Sequence, residues 1–320
     1  MERGGGLRVV AFGGGTGLPV LLRGLRDTVS DLAAVVTVAD DGGSSGRLRQ
    51  ELGVAPPGDV RNCLVALAGR KRLAEVFDYR FEAGEELRDH AVGNIIIAAL
   101  ADMAGSFEEG VGQAARFLRI KGRVYPAATE SLTLVVRYAD GTTTRGESVV
   151  HKVGKQVSAV AVEPGGIPAP DAVISAIDRA DIVALSPGSL FTSTIPSLLG
   201  GGVAEALARF DGPVVYVANV MTQAGETSGF SVSEHVRAIS DHIGSVATDI
   251  LVHSGDLSDD LLARYERENA APTVVDREAL ERMGVRVREA DLLSDDESRG
   301  VRHDPAKLAA EVRRLALVRL

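Results

Sequence analysis

Four short stretches of this 320-residue chain set glycines, carboxylates and hydroxyls at spacings that suit phosphate and cation chemistry. The first is Gly13-Gly14-Gly15-Thr16-Gly17, between a β-branched apolar run and a helical spacing. Glycine permits positive φ and close backbone approach, and the free amides and positive dipole of a helix start attract phosphate. A tight turn that needs glycine for geometry alone is the plainer alternative. The spacing is not G-x-G-x-x-G, because Leu18 stands three residues after Gly15, and no lysine follows as in a Walker A loop. Ordinary dehydrogenase and P-loop NTPase chemistry is therefore disfavoured.

The second stretch is Asp40-Asp41-Gly42-Gly43-Ser44-Ser45-Gly46. Adjacent carboxylates can hold Mg²⁺ through one or two oxygens, with water and substrate phosphate completing the shell. One aspartate alone could bind a ribose hydroxyl, and Asp and Ser could equally bond their own backbone and cap a helix from Arg47 to Leu52. The third, Pro56-Pro57-Gly58-Asp59-Val60-Arg61-Asn62, offers Asp59 as a helix N-cap worth about 1 kcal/mol, with Arg61 and Asn62 able to face a phosphate from the first turn. The fourth runs from Ser186 through Gly188 and Ser189 to Ser193; its hydroxyls and amides suit a diphosphate or an acidic group, or simply a cap and turn. Beyond it, Asn219 ends a strand, and polar residues between Met221 and Thr227, Thr222 among them, could read a base or sugar. His90 precedes Gly93-Asn94 at the start of an apolar helix, where a lone histidine is commonly a core or capping residue. No G-x-S-x-G spacing supports a hydrolase, and His235 and His242 read as surface or interface residues of a helix.

Positioning these loops requires strands that end where they begin. Val9–Phe12, Ala34–Val38, Ile182–Leu185, Val214–Ala218 and Ile250–His253 read as buried strands separated by helical spacings. Leu18, Leu21, Leu22 and Leu25 mark one helix, Val60, Cys63, Leu64 and Leu67 a second, and Val232, Val236, Ile239 and Ile243 another. Ala91 to Met103 is apolar nearly all round, which points to a helix buried within the fold. Leu132, Leu134 and Val136 alternate with polar residues before the turn Ala139-Asp140-Gly141, so residues 121–165 form a small β-rich insertion. Pro305–Leu320 closes the chain as an amphipathic helix. The expected architecture is α/β: one Rossmann-like, doubly wound domain over residues 1–320, with a mainly parallel sheet, helices on both faces and that insertion.

Composition bounds the partners. A formal net charge of −9 argues against nucleic acid, and 45% hydrophobic with 25% charged residues fits a folded globular chain. One cysteine, Cys63, excludes an intramolecular disulfide, and no apolar run approaches the roughly 20 residues of a membrane-spanning helix. A cytoplasmic protein without membrane insertion is expected.

Taken in order, AFGGGTGLPVLLRGL, VTVADDGGSSGRLRQELG, PPGDVRNCLVALA, HAVGNIIIAAL, SPGSLFTSTIP and ANVMTQAGETSGFS resemble the gluconeogenesis factor (YvcK-like) family, within the superfamily of 2-phospho-lactate transferases that build a deazaflavin coenzyme. The resemblance spans about Leu7 to Leu320 and implies a Rossmann-like fold, a nucleotide-sugar ligand such as UDP-N-acetylglucosamine, and a role in cell shape and growth on gluconeogenic carbon by binding rather than turnover. It also implies, from the related transferases, that aspartates matching the Asp40-Asp41 pair and Asp59 hold a metal; Asp41 and Asp59 are the candidate Mg²⁺ ligands. DDGGSSGR and PPGDVRN follow the gluconeogenesis-factor pattern and not the transferases' own. Two positions depart from the family: Asp89 where glycine is common and Ala224 where proline is common.

The resulting ligand-binding set is Gly13, Gly14, Gly15, Thr16, Gly17, Asp40, Asp41, Ser44, Ser45, Arg61, Asn62, His90, Asn94, Ser186, Gly188, Ser189, Asn219 and Thr222. A regulatory protein partner and a homo-oligomer are compatible expectations. The alternative is a Mg²⁺-dependent transferase acting on a nucleotide diphosphate, in which positioning and charge neutralisation do the catalysis.

Overall fold

The structure is a computed structural model that describes residues 6–318. Seven strands form the main sheet: β1 (Arg8–Gly13), β2 (Asp31–Val36), β3 (Arg123–Pro126), then, after the insertion, β7 (Ile182–Leu185), β8 (Val214–Val217), β9 (Asp249–His253) and β10 (Arg286–Ala290). Their spatial order is β10-β9-β8-β7-β1-β2-β3, and every pairing is parallel. β1, β7 and β8 are buried nearly throughout, which is why they read as apolar runs without alternation.

The chain moves outward from β1 in two directions, first to β2 and β3, then to β7, β8, β9 and β10. The reversal lies between β1 and β7, where Phe12 stands opposite Leu185. Right-handed crossovers in opposite directions place helices on opposite faces. On one, α1 (Gly17–Leu25) packs against α3 (Gly58–Leu67) and α13 (Pro305–Leu317); elsewhere α8 (Asp171–Arg179) packs against α9 (Val203–Ala208). Leu18, Leu21, Leu22 and Leu25 are fully buried, as their spacing predicts. The doubly wound α/β expectation therefore holds. Positions 1–5 of the expected domain and 319–320 of the closing helix lie outside the described residues.

The smaller sheet is antiparallel, with order β5-β4-β6 for β4 (Thr133–Tyr138), β5 (Thr143–Arg145) and β6 (Val157–Glu163). Its hairpin turns at Asp140-Gly141, where Asp140 Oδ1 accepts the Thr142 amide at 2.9 Å. Within residues 121–165, Arg123–Pro126 belongs instead to the main sheet, paired with β2. A short α7 (Val150–Val153) precedes β6.

Between β2 and β3 lie α2 (Gly43–Leu52), α3, α4 (Lys71–Asp78), α5 (Val92–Ala104) and α6 (Phe107–Leu118). α5 departs from expectation: it is buried only along Gly93, Asn94, Ile97, Ala98 and Ala101, and Met103 is 80% exposed, because packing on α4 and α6 covers one side of an apolar helix. The remaining helices are α10 (Val232–Ile243), α11 (Asp259–Arg267) and α12 (Arg277–Arg282). α10 starts with a capping box between Ser231 and Glu234. His235 on α10 is fully buried against Tyr216 and Phe230, not at the surface, and His242 accepts the Val160 amide at 3.0 Å, tying α10 to β6. Among the described residues no helix is long and apolar enough to cross a membrane.

Candidate functional site

Gly13 ends β1 at the topological switch point, where open α/β sheets bind ligands. Gly15 takes φ +57°, a left-handed conformation that a side chain would strain, and the chain then enters α1 through Thr16. The facing loop after β7 comes so near that a Cβ on Gly17 would lie 1.7 Å from the Pro187 carbonyl oxygen. The glycines therefore let two strand-end loops meet. Thr37 Oγ1 after β2 and Ser186 Oγ after β7 flank the turn, and both are buried without a hydrogen-bond partner among the described residues. Native interiors rarely leave such hydroxyls unpaired, and a polar ligand would satisfy both.

Asp59 does not cap its own helix. α3 begins at Gly58, and the Asp59 Oδ2 accepts the Gly15 amide at 2.7 Å. One of the turn's amides is thus already engaged, while the first amides of α1 have no intrahelical partner and carry the positive end of the helix dipole. Burial pushes the Asp59 carboxyl up to about 6, against the pull of the Gly15 amide, with Asp40 adding to the rise. Asp40 is itself raised, first by burial, while Gly42 donates to its Oδ1 at 2.8 Å.

Of the adjacent aspartates, it is Asp40 that couples to Asp59. Asp41 turns the other way: its Oδ1 accepts the Ser148 amide at 2.8 Å and its Oδ2 lies against Gly146, so it anchors the insertion. The insertion returns Glu147 to the site. Its carboxyl is held well above the usual carboxylate range, by burial first and then by Asp40, Asp59 and Glu226, and its Oε2 is shut off from solvent without a partner among the described residues.

Ser44 and Ser45 fall inside the first turn of α2, which starts four residues earlier than Arg47. Ser45 Oγ accepts the Gly58 amide at 3.1 Å, and Ser44 Oγ lies 3.0 Å from His90 Nδ1 while accepting from Asn94 Nδ2 at 3.0 Å. A serine hydroxyl on a histidine nitrogen is the geometry of an activated nucleophile. Here the Ser44 hydroxyl is already bonded to both His90 and Asn94, and the trio is a strut between α2 and the start of α5. Arg61 is also buried; its Nη2 donates to Asn62 Oδ1 at 2.5 Å and sits 3.7 Å from Asp78, on the α4 side.

The helix start after β7 takes an acidic group from the chain itself. Glu226 is fully buried, and its Oε1 accepts from Ser189 Oγ at 2.6 Å, the Phe191 amide at 2.7 Å and the Thr192 amide at 3.2 Å. Asn219 staples the same loop, accepting from Gly188 N at 2.9 Å and donating to Gly188 O at 2.6 Å. Thr222 braces the next loop through Ala271, whose amide donates to its hydroxyl at 2.9 Å.

Thr16, Gly17, Pro187, Gly188, Asn219, Thr222, Arg302 and His303 line a cleft of about 210 Å³; burial lowers His303 to about 4, so it carries no charge at neutral pH. Thr37, Glu147 and Glu226 were not among the residues singled out by spacing. Thr37 reads as part of a strand, and Glu147 lies within a β insertion with no motif of its own. Glu226 had a usable signal, since it stands inside MTQAGETSGFS.

Comparison with known proteins agrees with the fold. The family model for 2-phospho-L-lactate transferase CofD matches residues 9–293. The gluconeogenesis factor of Halalkalibacterium halodurans is 43% identical over 307 residues, covering 95% of each chain, and that of Bacillus subtilis 41% over 305 residues, covering 95% of this chain and 96% of its own. A crystal structure of a Bacillus halodurans protein superposes with TM-score 0.93 at 42% identity, covering 96% of this chain and 99% of that one. With the glycine turn at the switch point and the family model spanning nearly the whole sheet, this chain belongs to the CofD family, on the branch of the gluconeogenesis factors.

Proposed function

We propose that the protein is a gluconeogenesis factor that binds a nucleotide sugar of the UDP-N-acetylglucosamine type and passes its occupancy to a protein partner, in support of cell shape and growth on gluconeogenic carbon. The carrying observation is the glycine turn at the switch point, with the unpaired Thr37 and Ser186 hydroxyls beside it and Arg302 in the lining of the adjoining cleft. The first amides of α1 and the Arg302 guanidinium supply positive potential for a diphosphate. The names of the relatives support the physiological role. The test is a thermal-shift panel of UDP-N-acetylglucosamine, other nucleotide sugars, GDP and NAD. A ligand at 100 times its Kd adds roughly 2.7 kcal/mol, a shift of a few degrees at this size. A rise with a UDP-sugar supports the proposal, and a rise with NAD alone rejects it.

A second reading, a Mg²⁺-dependent transferase, is favoured by the Asp40–Asp59 coupling and the family model. Among the described residues no three His, Cys, Asp or Glu side chains converge to hold a metal by themselves. Two carboxylates nevertheless suit Mg²⁺, which completes its shell with water and substrate phosphate. Asp40 and Asp59 would hold it, and the ion would neutralise charge on the transferred group. Asp59→Asn then removes turnover with near-normal binding.

A further inference from the structure

Arg302 is the only lysine or arginine among the described residues lining the cleft beside the glycine turn, and His303 next to it is uncharged at neutral pH. The side-chain charge offered to a diphosphate there rests on where one guanidinium is held. Arg302 also lines a second, smaller cleft of about 180 Å³, whose other walls include Asp256, Asp291, Asp295 and Glu297. It therefore stands on the border between a site for phosphates and an acidic groove.

Its place is set by a two-stranded ribbon. Residues 292–294 run antiparallel to residues 302–304: Leu293 pairs with His303, the Ser294 amide donates to Arg302 O at 2.9 Å, and the Asp304 amide donates to Leu292 O at 2.8 Å. The arm that carries Arg302 leads directly into α13, which Asp304 caps by accepting the Ala306 and Lys307 amides, both at 2.8 Å. Just before Arg302, the Val301 amide donates to Tyr265 Oη at 3.0 Å. The opposite arm is buried at Leu292 and exposed at Asp295.

Lys307, in the first turn of α13, grips that opposite arm. Its Nζ donates to Asp291 Oδ2 at 2.7 Å, Leu293 O at 2.9 Å and Asp295 Oδ1 at 3.0 Å, so all three ammonium protons are used. The same contact holds the Asp291 carboxyl below its usual range and the Lys307 ammonium above its own. Two consequences reach Arg302. The ribbon is clamped to the helix from which the arginine's own arm springs, and two of the four carboxylates lining the acidic groove are already neutralised. With that ammonium gone, opposite charge would draw the guanidinium into the groove and away from the phosphates.

We infer that Lys307 is a positioning residue: it lines neither cleft, and by holding Asp291 and Asp295 it keeps Arg302 turned to the phosphates of the bound nucleotide sugar. This rests on the nucleotide-sugar reading above and adds to it the residue that prepares its cation.

The experiment is calorimetric titration of wild type, Lys307→Met, Lys307→Arg, Arg302→Ala and the double variant Lys307→Met/Arg302→Ala. The probes are UDP-N-acetylglucosamine, inorganic pyrophosphate and uridine. Lys307→Met should weaken the nucleotide sugar and pyrophosphate about fivefold, the upper end for an exposed ion pair, and leave uridine unchanged. Lys307→Arg keeps the cation and should bind as wild type does. In the double variant the loss should equal that of Arg302→Ala alone, because a residue acting only through Arg302 has nothing left to act on. An unchanged affinity in Lys307→Met, a loss that adds to that of Arg302→Ala, or an equal loss for uridine overturns the positioning role while nucleotide-sugar binding stands. A wild type that binds no UDP-N-acetylglucosamine overturns both.

Discussion

The carboxylate of Asp59 accepts the backbone N–H of Gly15 at 2.7 Å, joining the first turn of α3 to a loop 44 residues earlier. The contact exists because Gly14 has no side chain: a Cβ there would lie 2.5 Å from Asp59 Oδ2 and 2.7 Å from Thr37 Cγ2. The glycine turn and the Asp59 carboxylate are therefore one unit, in which moving either moves the other.

Gly14→Ala should push Asp59 and Thr37 off the turn. Overpacking of this kind costs typically 1–3 kcal/mol. The expected outcome is a lower melting temperature and at least a tenfold loss of ligand affinity by calorimetry. A variant that binds normally would place the ligand elsewhere.

Asp59 should also leave a mark on the pH dependence of stability. Its folded pKa of about 6 lies above the ordinary 3.8, so the protonated form is favoured by folding. That contribution is complete below about pH 4, is lost as pH rises to about 6, and is flat above; about 3 kcal/mol is its ceiling. Urea denaturation should show wild type losing stability between pH 4 and 7 relative to Asp59→Asn. A flat or opposite difference would contradict the burial of this carboxyl.

Much of this was legible in the sequence because the fold is local and periodic. Leu18, Leu21, Leu22 and Leu25 could only make one face of a helix, and the loops after Phe12, Val38 and Leu185 had to lie at one edge of a parallel sheet. What spacing could not show was the direction of side chains. Asp59 looks like a cap and is not, since Gly15 offers its amide across space. Asp40 and Asp41 are indistinguishable as neighbours, yet the charge of one helps raise Asp59 while the other accepts the Ser148 amide. Glu147 reaches the site only because the insertion folds back, a contact carried by no periodicity.

Glu226 should be the costliest of the buried acids to remove. Its Oε1 satisfies a hydroxyl and two amides, and Glu226→Ala strands those donors in a buried position. With three donors left unpaired at about 1–3 kcal/mol each, a loss of at least about 3 kcal/mol in chemical denaturation is expected. A loss below 1 kcal/mol would mean that the Ser189 loop holds itself.

Asn219→Ala should act on binding more than on the core, because it frees the Gly188 loop by deleting two hydrogen bonds at the sheet edge. Each is worth about 1 kcal/mol. Affinity should fall about tenfold, with Tm lower by a few degrees, and an unchanged affinity would detach this loop from the ligand.

The central claim, a nucleotide-sugar binder that does not turn its ligand over, is met most directly by titrating purified protein with UDP-N-acetylglucosamine, with and without Mg²⁺, while following heat and product in the same sample. Saturable heat with no product is the predicted result. Product formation, or binding confined to guanine nucleotides with Mg²⁺, would contradict it and assign the Asp40–Asp59 pair to transferase chemistry.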